Sequence, residues 1–259
     1  MDTRAKTDEC LILRGRDYKE SDRLLIVFSR RYGKFSCLAK GVRRANSKLK
    51  AGTQLFSYSR LTFTAGKSLP LVTQGEAVEA RAELREDLTK IACASYIGEV
   101  LDAVLPENKP QEGVFVLAAA ALTLLGSLDE PFLLLSCFDL RLLAALGYRL
   151  NFDVCAACGR STQGKTFYAS PERGGVICAG CQGRLTDVYG EHFQPPRLSA
   201  GACRLLTGLL NWELRRVFKV KAAPAMRQEI DTALAFYLAY YLGAPAVRAR
   251  KNLSVYYKV

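Results

Sequence analysis

The sequence predicts an α+β protein with a small β-barrel first, helices after it, and a four-cysteine knuckle inserted among the helices. Three observations lead to this prediction. Short strand-like segments fill the first 80 residues, apolar residues then take up helical spacing, and two Cys-x-x-Cys pairs interrupt the helical part. A chain of 259 residues is long enough for two domains. We expect one over residues 1–80 and the other over residues 81–259.

The first domain contains five segments rich in β-branched and aromatic residues. They are residues 10–13, 23–28, 34–40, 57–64 and 69–75. Turn-forming sequences separate them, such as RYGK at 31–34. The segment RLTFT at 60–64 alternates strictly, which is the period of a half-buried strand. Because a small sheet must protect its edges, closure into a barrel is expected, and an oligonucleotide-binding (OB-type) barrel has this size and strand number.

The period then changes from that of a strand to that of a helix. Ile97, Leu101, Val104 and Leu105 have the spacing of one helix face, and prolines at 106 and 110 end this helix. Residues 113–126 and 131–147 predict two further apolar helices, each closed by a glycine. Apolar residues between 230 and 241 repeat the helical spacing near the C-terminus. The second domain is therefore predicted to be α-helical.

Two cysteine pairs form the strongest local motif. Cys155 and Cys158 make one pair, and Cys178 and Cys181 make the other. Two residues between thiolates let both bind one ion from a tight turn, and a tetrahedral four-cysteine site favours zinc. We predict one structural Zn²⁺ per chain in an insertion at about 153–183, with an iron–sulfur cluster as the alternative. Four cysteine ligands leave no open coordination position for catalysis, so the metal is expected to stabilise the fold.

The charge distribution points to a polyanionic partner. The formal net charge is +12, and no acidic residue occurs between Asp22 and Glu76, an interval with eleven lysines and arginines. Five of these lie in residues 39–52, which we call the basic loop. A run of one sign repels itself, and nucleic-acid phosphates would offset that repulsion. The alternative is a solvated basic surface without a target.

Motifs of other protein classes are missing. The polar N-terminus has no signal-peptide core, and the longest apolar run, residues 114–125, is short of the about 20 residues of a membrane span. An odd number of cysteines without an export signal favours a reducing cytoplasm. The single histidine, His192, excludes histidine-pair metal sites, and no phosphate-binding loop or nucleophile elbow occurs. We therefore expect a cytoplasmic, nucleoid-associated binding protein without membrane contact, and not an enzyme.

Four stretches spread between positions 28 and 243 carry a family likeness: FSRRYGKFSCLAKGVRR at 28–44, SLPLVTQGEAVE at 68–79, FDLRLLAALGYRLNFDVCAACG at 138–159 and YLAYYLG at 237–243. Together with the order of basic barrel, helical domain and inserted four-cysteine knuckle, they resemble the RecO family of bacterial DNA-repair proteins. The resemblance implies a recombination mediator of the RecF pathway that binds single- and double-stranded DNA and anneals complementary strands. It also implies help in loading RecA onto strands coated by single-strand-binding protein. The implied partners are RecR, the C-terminal tail of single-strand-binding protein, RecA and, in some organisms, RecF.

Candidate contact residues follow from the charge and the resemblance together. The first candidates for DNA are Lys40, Arg43 and Arg44, which match the basic run after the third strand in the family. Further candidates are Arg30, Arg31 and Lys34, then Lys48 and Lys50. Phe28, Tyr32, Phe35 and Tyr58 are aromatics that would either stack on bases or pack in the barrel core. For the acidic tail of single-strand-binding protein the candidates are Arg141, or Arg215 and Arg216 with the lysines that follow them.

Three other functions are compatible with parts of the pattern. A zinc-containing protein that binds RNA or acts in transcription would also use a basic barrel and a knuckle. A nuclease would need a carboxylate cluster, which the sequence does not show. A protein-interaction scaffold would show no nucleic-acid affinity at physiological salt.

Overall fold

The computed structural model describes residues 5–162, 166–185 and 194–253. The contacts between them divide the chain into two compact units, residues 1–127 and 128–259. The first unit holds a barrel and two helices, and the second holds helices and a small sheet. The assignment of domains to residues 1–80 and 81–259 stays a prediction.

Five strands close into a barrel, as the sequence predicted. They are β1 (Lys6–Tyr18), β2 (Asp22–Ser29), β3 (Gly33–Ala39), β4 (Tyr58–Thr64) and β5 (Leu71–Glu79). Around the barrel the order is β1-β2-β3-β5-β4, and all neighbours are antiparallel except β3 and β5, which run parallel. Strand β1 is longer than its predicted apolar centre because its exposed second half continues to pair with β2 as far as the turn at Asp22.

Alternate side chains of these strands fill the barrel. Ile12, Leu25, Val27 and Leu61 are fully buried in its core. In the RLTFT segment Leu61 and Phe63 point inward while Arg60 is exposed, so the predicted alternation is confirmed. Burial of each such side chain contributes about 1.5–3 kcal/mol to folding.

Two helices complete the first unit. They are α1 (Leu88–Val104) and α2 (Glu112–Gly126). The carboxylate of Asp87 caps α1 by accepting a hydrogen bond from the Lys90 backbone N–H at 2.8 Å. Gly98 lets α1 approach β1 closely, since a Cβ at this position would lie 2.8 Å from the carbonyl oxygen of Leu13. The predicted core face of α1 is confirmed at Ile97 and Leu101, which are fully buried.

The second unit combines helices with a four-stranded sheet. Its helices are α3 (Phe132–Ala145), α4 (Ala200–Asn211), α5 (Pro224–Leu242) and α6 (Ala244–Leu253). Its strands are β6 (Asn151–Cys155), β7 (Phe167–Ser170), β8 (Gly175–Cys178) and β9 (Arg197–Leu198), in the order β6-β8-β7-β9. Helix α3 is buried on all sides over residues 132–140, which explains its continuous apolar sequence. The fold class predicted from the sequence is therefore confirmed.

Within the described part of the chain no helix combines the length and the apolar character that a membrane crossing requires.

Candidate metal centre and nucleic-acid interface

The four cysteines meet at one end of the small sheet. Strands β6 and β8 are parallel neighbours that end in Cys155 and Cys178, so the pairing brings one member of each pair together. The four sulfur atoms lie within 4.8 Å of one another. Gly159 has a φ of 72°, which an L side chain rarely adopts, and its N–H closes the first turn on the carbonyl of Cys155 at 2.8 Å. The four cysteines are thus placed to bind a metal ion.

The electrostatics of the cluster favour a cation. Burial opposes ionisation of Cys155, but backbone N–H groups, first that of Cys178, outweigh it and lower the pKa of Cys155 to about 6. Hydrogen bonding to the neighbouring sulfurs, chiefly that of Cys178, and burial raise the pKa of Cys181 to about 12. Sulfurs this close repel each other when all are anionic, and a bound divalent ion removes that repulsion.

The basic loop is anchored to the barrel at both of its ends. The N–H of Gly41 donates to the Asp22 carboxylate at 2.8 Å, and the N–H of Arg43 donates to the carbonyl of Ser21 at 2.9 Å. At the other end Gly52 lies against β5, where a Cβ on Gly52 would come within 2.5 Å of the carbonyl carbon of Gly75. The loop is therefore held at a fixed place beside the β1–β2 turn.

The cations of the basic loop remain available for a ligand. Four of them are exposed and have no carboxylate within ion-pair distance in the described chain: Lys40, Arg44, Lys48 and Lys50. Arg43 is also exposed, but it pairs with Asp17 at 3.3 Å and donates to the carbonyl of Glu20. The structure thus brings the first and third sets of predicted DNA residues together on one loop.

The second set has a different environment. Arg30 pairs with Glu9 at 3.0 Å and with Glu112 at 2.7 Å. Lys34 is only 8 % exposed, and its ammonium group donates to the backbone and the carboxylate of Asp102. These acids lie outside the acid-free interval, so the local sequence gave no sign of the pairing. A DNA contact of these residues stays a prediction, and Lys34 has little surface with which to make one.

Arg31 stabilises a buried carboxylate. Asp8 is 5 % exposed, and burial by itself would raise its pKa. Hydrogen bonds from the Ser29 hydroxyl and from the backbone and guanidinium of Arg31 outweigh burial and lower the pKa of Asp8. The Arg31 side chain therefore has a structural partner in the barrel wall.

The aromatic candidates divide between core and surface. Phe28 is fully buried, and Phe35 packs edge to face on Phe63 with ring centroids 5.1 Å apart. Tyr58 packs against Phe115, while Tyr32 is half-buried with the Lys6 ammonium 5.3 Å from its ring centre. Phe28 and Phe35 thus belong to the packed interior.

Two exposed cations on the hairpin that anchors the basic loop were not predicted as candidates. Arg16 and Lys19 lie on the β1–β2 hairpin, whose turn bonds the loop through Ser21 and Asp22. In the sequence they alternate with acidic residues, so their charge pattern is that of an ordinary solvated surface. That this hairpin is bonded to the loop follows only from the barrel.

Two of the predicted partner residues, Arg141 and Arg216, contact Trp212. Arg141 is half-buried and donates to the carbonyls of Leu209, at 3.1 Å, and Trp212, at the end of α4. Arg215 and Arg216 are exposed and line a surface cleft of about 650 Å³. The Arg216 guanidinium lies 4.4 Å from the ring centre of Trp212. A partner contact at these residues stays a prediction. The single histidine of the sequence, His192, lies outside the described residues.

Comparisons with known proteins agree with the architecture. A family model described as Recombination protein O N terminal matches residues 1–81, and one described as Recombination protein O C terminal matches residues 85–251. A protein of Symbiobacterium thermophilum named DNA repair protein RecO is 36% identical over 231 residues, which is 88% of either chain. Proteins of the same name from Desulfitobacterium hafniense and Moorella thermoacetica are each 35% identical, over 88% and 90% of this chain and 82% and 85% of their own. The chain therefore belongs to the RecO family of DNA repair proteins.

Proposed function

We propose that this protein binds single- and double-stranded DNA through the basic loop and acts in recombinational repair as a binding protein, not as an enzyme. One observation carries the proposal: four exposed cations that have no acidic partner among the described residues lie on one anchored loop of an OB-type barrel. Barrels of this type bind nucleic-acid strands along grooves and loops of positive charge. Work on chromosomal DNA would take place in the cytoplasm, at the nucleoid.

Strand annealing needs no covalent chemistry from the protein. Two strands repel each other through their phosphates, and a surface that neutralises both lowers this repulsion and raises their local concentration. Base pairing then completes the reaction. Membership of the RecO family supports a wider role, in which the protein helps RecA to load on DNA coated by single-strand-binding protein. RecR and, in some organisms, RecF are the partners proposed for this step.

We assign Zn²⁺ to the cysteine centre. Cys155, Cys158, Cys178 and Cys181 would hold it, because four thiolates make the closed tetrahedral set of structural zinc sites. When bound, the ion neutralises thiolate charge and joins the two turns. Its role is to keep this end of the small sheet folded.

The cleft beside Trp212 is the proposed site for the tail of single-strand-binding protein. Such a tail is acidic and ends in apolar residues, so it needs cations beside an apolar surface. Arg215, Arg216 and Lys219 supply the cations, and Val220 lies in the same lining. Arg141 would act indirectly, through its hydrogen bonds to the backbone at the end of α4.

The test compares two variants that lose the same number of charges. Lys40→Ala/Arg43→Ala/Arg44→Ala removes three cations from the basic loop, and Arg215→Ala/Arg216→Ala/Lys219→Ala removes three from the cleft. Oligonucleotide binding and strand annealing are measured across a salt series. Each lost phosphate contact lowers the log–log salt slope for single strands by about 0.7, so the loop variant should lose up to about 2.

The cleft variant should keep DNA binding and annealing but lose affinity for a peptide with the acidic tail sequence. Equal DNA binding by the wild type and the loop variant would contradict the proposed DNA site. A clear preference for RNA over DNA in the wild type would instead favour the alternative of an RNA-binding or transcription protein.

A further inference from the structure

Tyr148, Tyr240 and Tyr241 form a cluster at the end of α5. This cluster takes no part in the proposed function. The rings of Tyr148 and Tyr241 are stacked, with centroids 4.6 Å apart and 25° between their planes. Tyr240 meets Tyr241 edge to face at 5.1 Å. Tyr148 remains 43 % exposed and Tyr240 51 % exposed, although both belong to the cluster. The stack therefore continues to the surface of the second unit and does not end in its core.

Hydrogen bonds to backbone carbonyls hold Tyr148 and Tyr241 in place. Helix α3 ends in a glycine cap: Gly147 has a φ of 96°, and the N–H of Tyr148 donates to the carbonyl of Leu143 at 2.8 Å. On the other side the hydroxyl of Tyr241 donates to the carbonyl of Pro171. An exposed aromatic stack that is fixed in this way loses little conformational entropy when a planar group binds to it.

Positive charge flanks the cluster along the chain. The exposed Arg149 follows Tyr148, and the exposed Arg173 comes two residues after Pro171. Arg149 donates to the side-chain carbonyl of Asn211 at 2.7 Å, and neither arginine has an ion-pair partner among the described residues. The acidic residue next to the cluster, Glu172, accepts a hydrogen bond from the Ser170 hydroxyl. The surroundings thus suit an anion with planar, apolar parts.

We propose that this tyrosine cluster is a stacking platform for the bases of single-stranded DNA, with Arg149 and Arg173 as cations for the adjoining phosphates. The inference rests on the proposed function, and it adds a second DNA contact site, in the second unit. Every base has a π face, so stacking on aromatic rings binds single strands without regard to sequence. An apolar protein partner is less favoured, because it would cover Arg149 and Arg173 without giving either cation an anionic group.

The experiment separates base stacking from phosphate binding. Wild-type protein is titrated with an oligothymidine and with an abasic oligonucleotide of the same number of phosphates, at one salt concentration. The wild type should prefer the oligothymidine by at least about fivefold, the factor that corresponds to one stacked base. Tyr148→Leu/Tyr240→Leu should lose this preference and keep the wild-type salt slope. The matched control Tyr148→Phe/Tyr240→Phe retains both rings and should keep the preference.

A second measurement needs no variant. An oligonucleotide that carries photoreactive 5-iododeoxyuridine is crosslinked to the wild-type protein, and the modified residues are mapped by mass spectrometry. Crosslinks to Tyr148 or Tyr240 would support the platform. Crosslinks confined to the first unit, or a leucine variant with an intact preference for bases, would overturn it.

The two proposals fail in different ways. If the wild type binds DNA and the variant of Lys40, Arg43 and Arg44 loses this binding, the proposed function stands whatever the tyrosines do. If the wild type binds neither oligonucleotide, the proposed function fails and the platform fails with it.

Discussion

The turn formed by residues 155–161 has backbone hydrogen bonds but little apolar burial to hold it together. The apolar cluster around it buries Cys155, Ile177 and Cys181, and of these Ile177 alone is not a candidate ligand; Ala157 and Tyr168 pack against the cluster but are only partly buried. Burial of one isoleucine side chain contributes about 1.5–3 kcal/mol, whereas fixing the backbone of a seven-residue turn costs about 7–14 kcal/mol, at about 1–2 kcal/mol for each residue. A structural zinc ion supplies an apparent binding free energy of about 10–16 kcal/mol, which is enough to offset that cost.

The sheet beside the turn has its own apolar support. Phe152, Phe167 and Val176 are buried, and Phe152 packs edge to face on Tyr237 at 5.9 Å. The hydroxyl of Tyr237 also donates to the carbonyl of Gly175 at 2.6 Å. Metal removal should therefore unfold the turn and leave the pairing of β7 with β8 intact.

Hydrogen–deuterium exchange with a chelator under reducing conditions tests this prediction. Exchange should become fast at the amides of Cys155, Ala156 and Gly159, which bond within the turn or to β8, and stay slow in β7 and β8. Cys158→Ser removes an exposed candidate ligand and should reproduce the effect without chelator. Ala156→Ser places a hydroxyl in the same turn and should behave as the wild type. Unchanged protection of the turn in metal-free protein would refute the reasoning.

Three further predictions concern the barrel. Glu112→Gln removes one of the two carboxylates on Arg30 and should steepen the salt slope of single-strand binding by up to about 0.7; an unchanged slope would mean that Arg30 does not meet phosphate. Gly52→Ala places a Cβ 2.5 Å from the β5 backbone, so it should displace the basic loop and weaken DNA binding without loss of charge. The control Gly113→Ala adds a Cβ in open space and should leave DNA binding unchanged. Folding lowers the pKa of Asp8 from its ordinary 3.8, so the stabilisation by its carboxylate is present above pH 3.8 and is lost as the pH falls below that value. The Asp8→Asn variant should therefore lose less stability than the wild type as the pH falls below 3.8. Acid unfolding followed by circular dichroism measures this difference.

Local features of the fold were predictable because short-range patterns cause them. The alternation of Leu61 and Phe63 with polar neighbours has the period of a strand with one buried face. The spacing of Ile97 and Leu101 gave the buried face of α1 in the same way. Strand β1 was underestimated because its exposed second half, residues 14–18, owes its extended form to pairing with β2. Pairing with a neighbour, unlike periodicity, leaves no mark in the strand's own sequence.

In the candidate sites, too, local spacing was predictable from the sequence, whereas contacts between distant residues were not. The spacing of the cysteine pairs predicted a four-sulfur cluster, since two residues between thiolates fix their geometry within a single turn. The spacing did not show that Cys155 and Cys178 meet through parallel strand pairing. The sequence did not show that Tyr148 meets Tyr240 and Tyr241, because these residues are far apart along the chain and meet only where two helices end.

The sequence by itself determined the barrel, the helices, the two cysteine pairs and the total of positive charge. Only the tertiary structure decided which of those charges have carboxylate partners. Arg30 and Lys34 look as free as Lys40 and Arg44 along the chain, yet the fold brings carboxylates from residues 9, 102 and 112 to the first two. The reason is physical: charge is a property of each residue, whereas ion pairing depends on distances of a few ångströms between residues far apart in sequence.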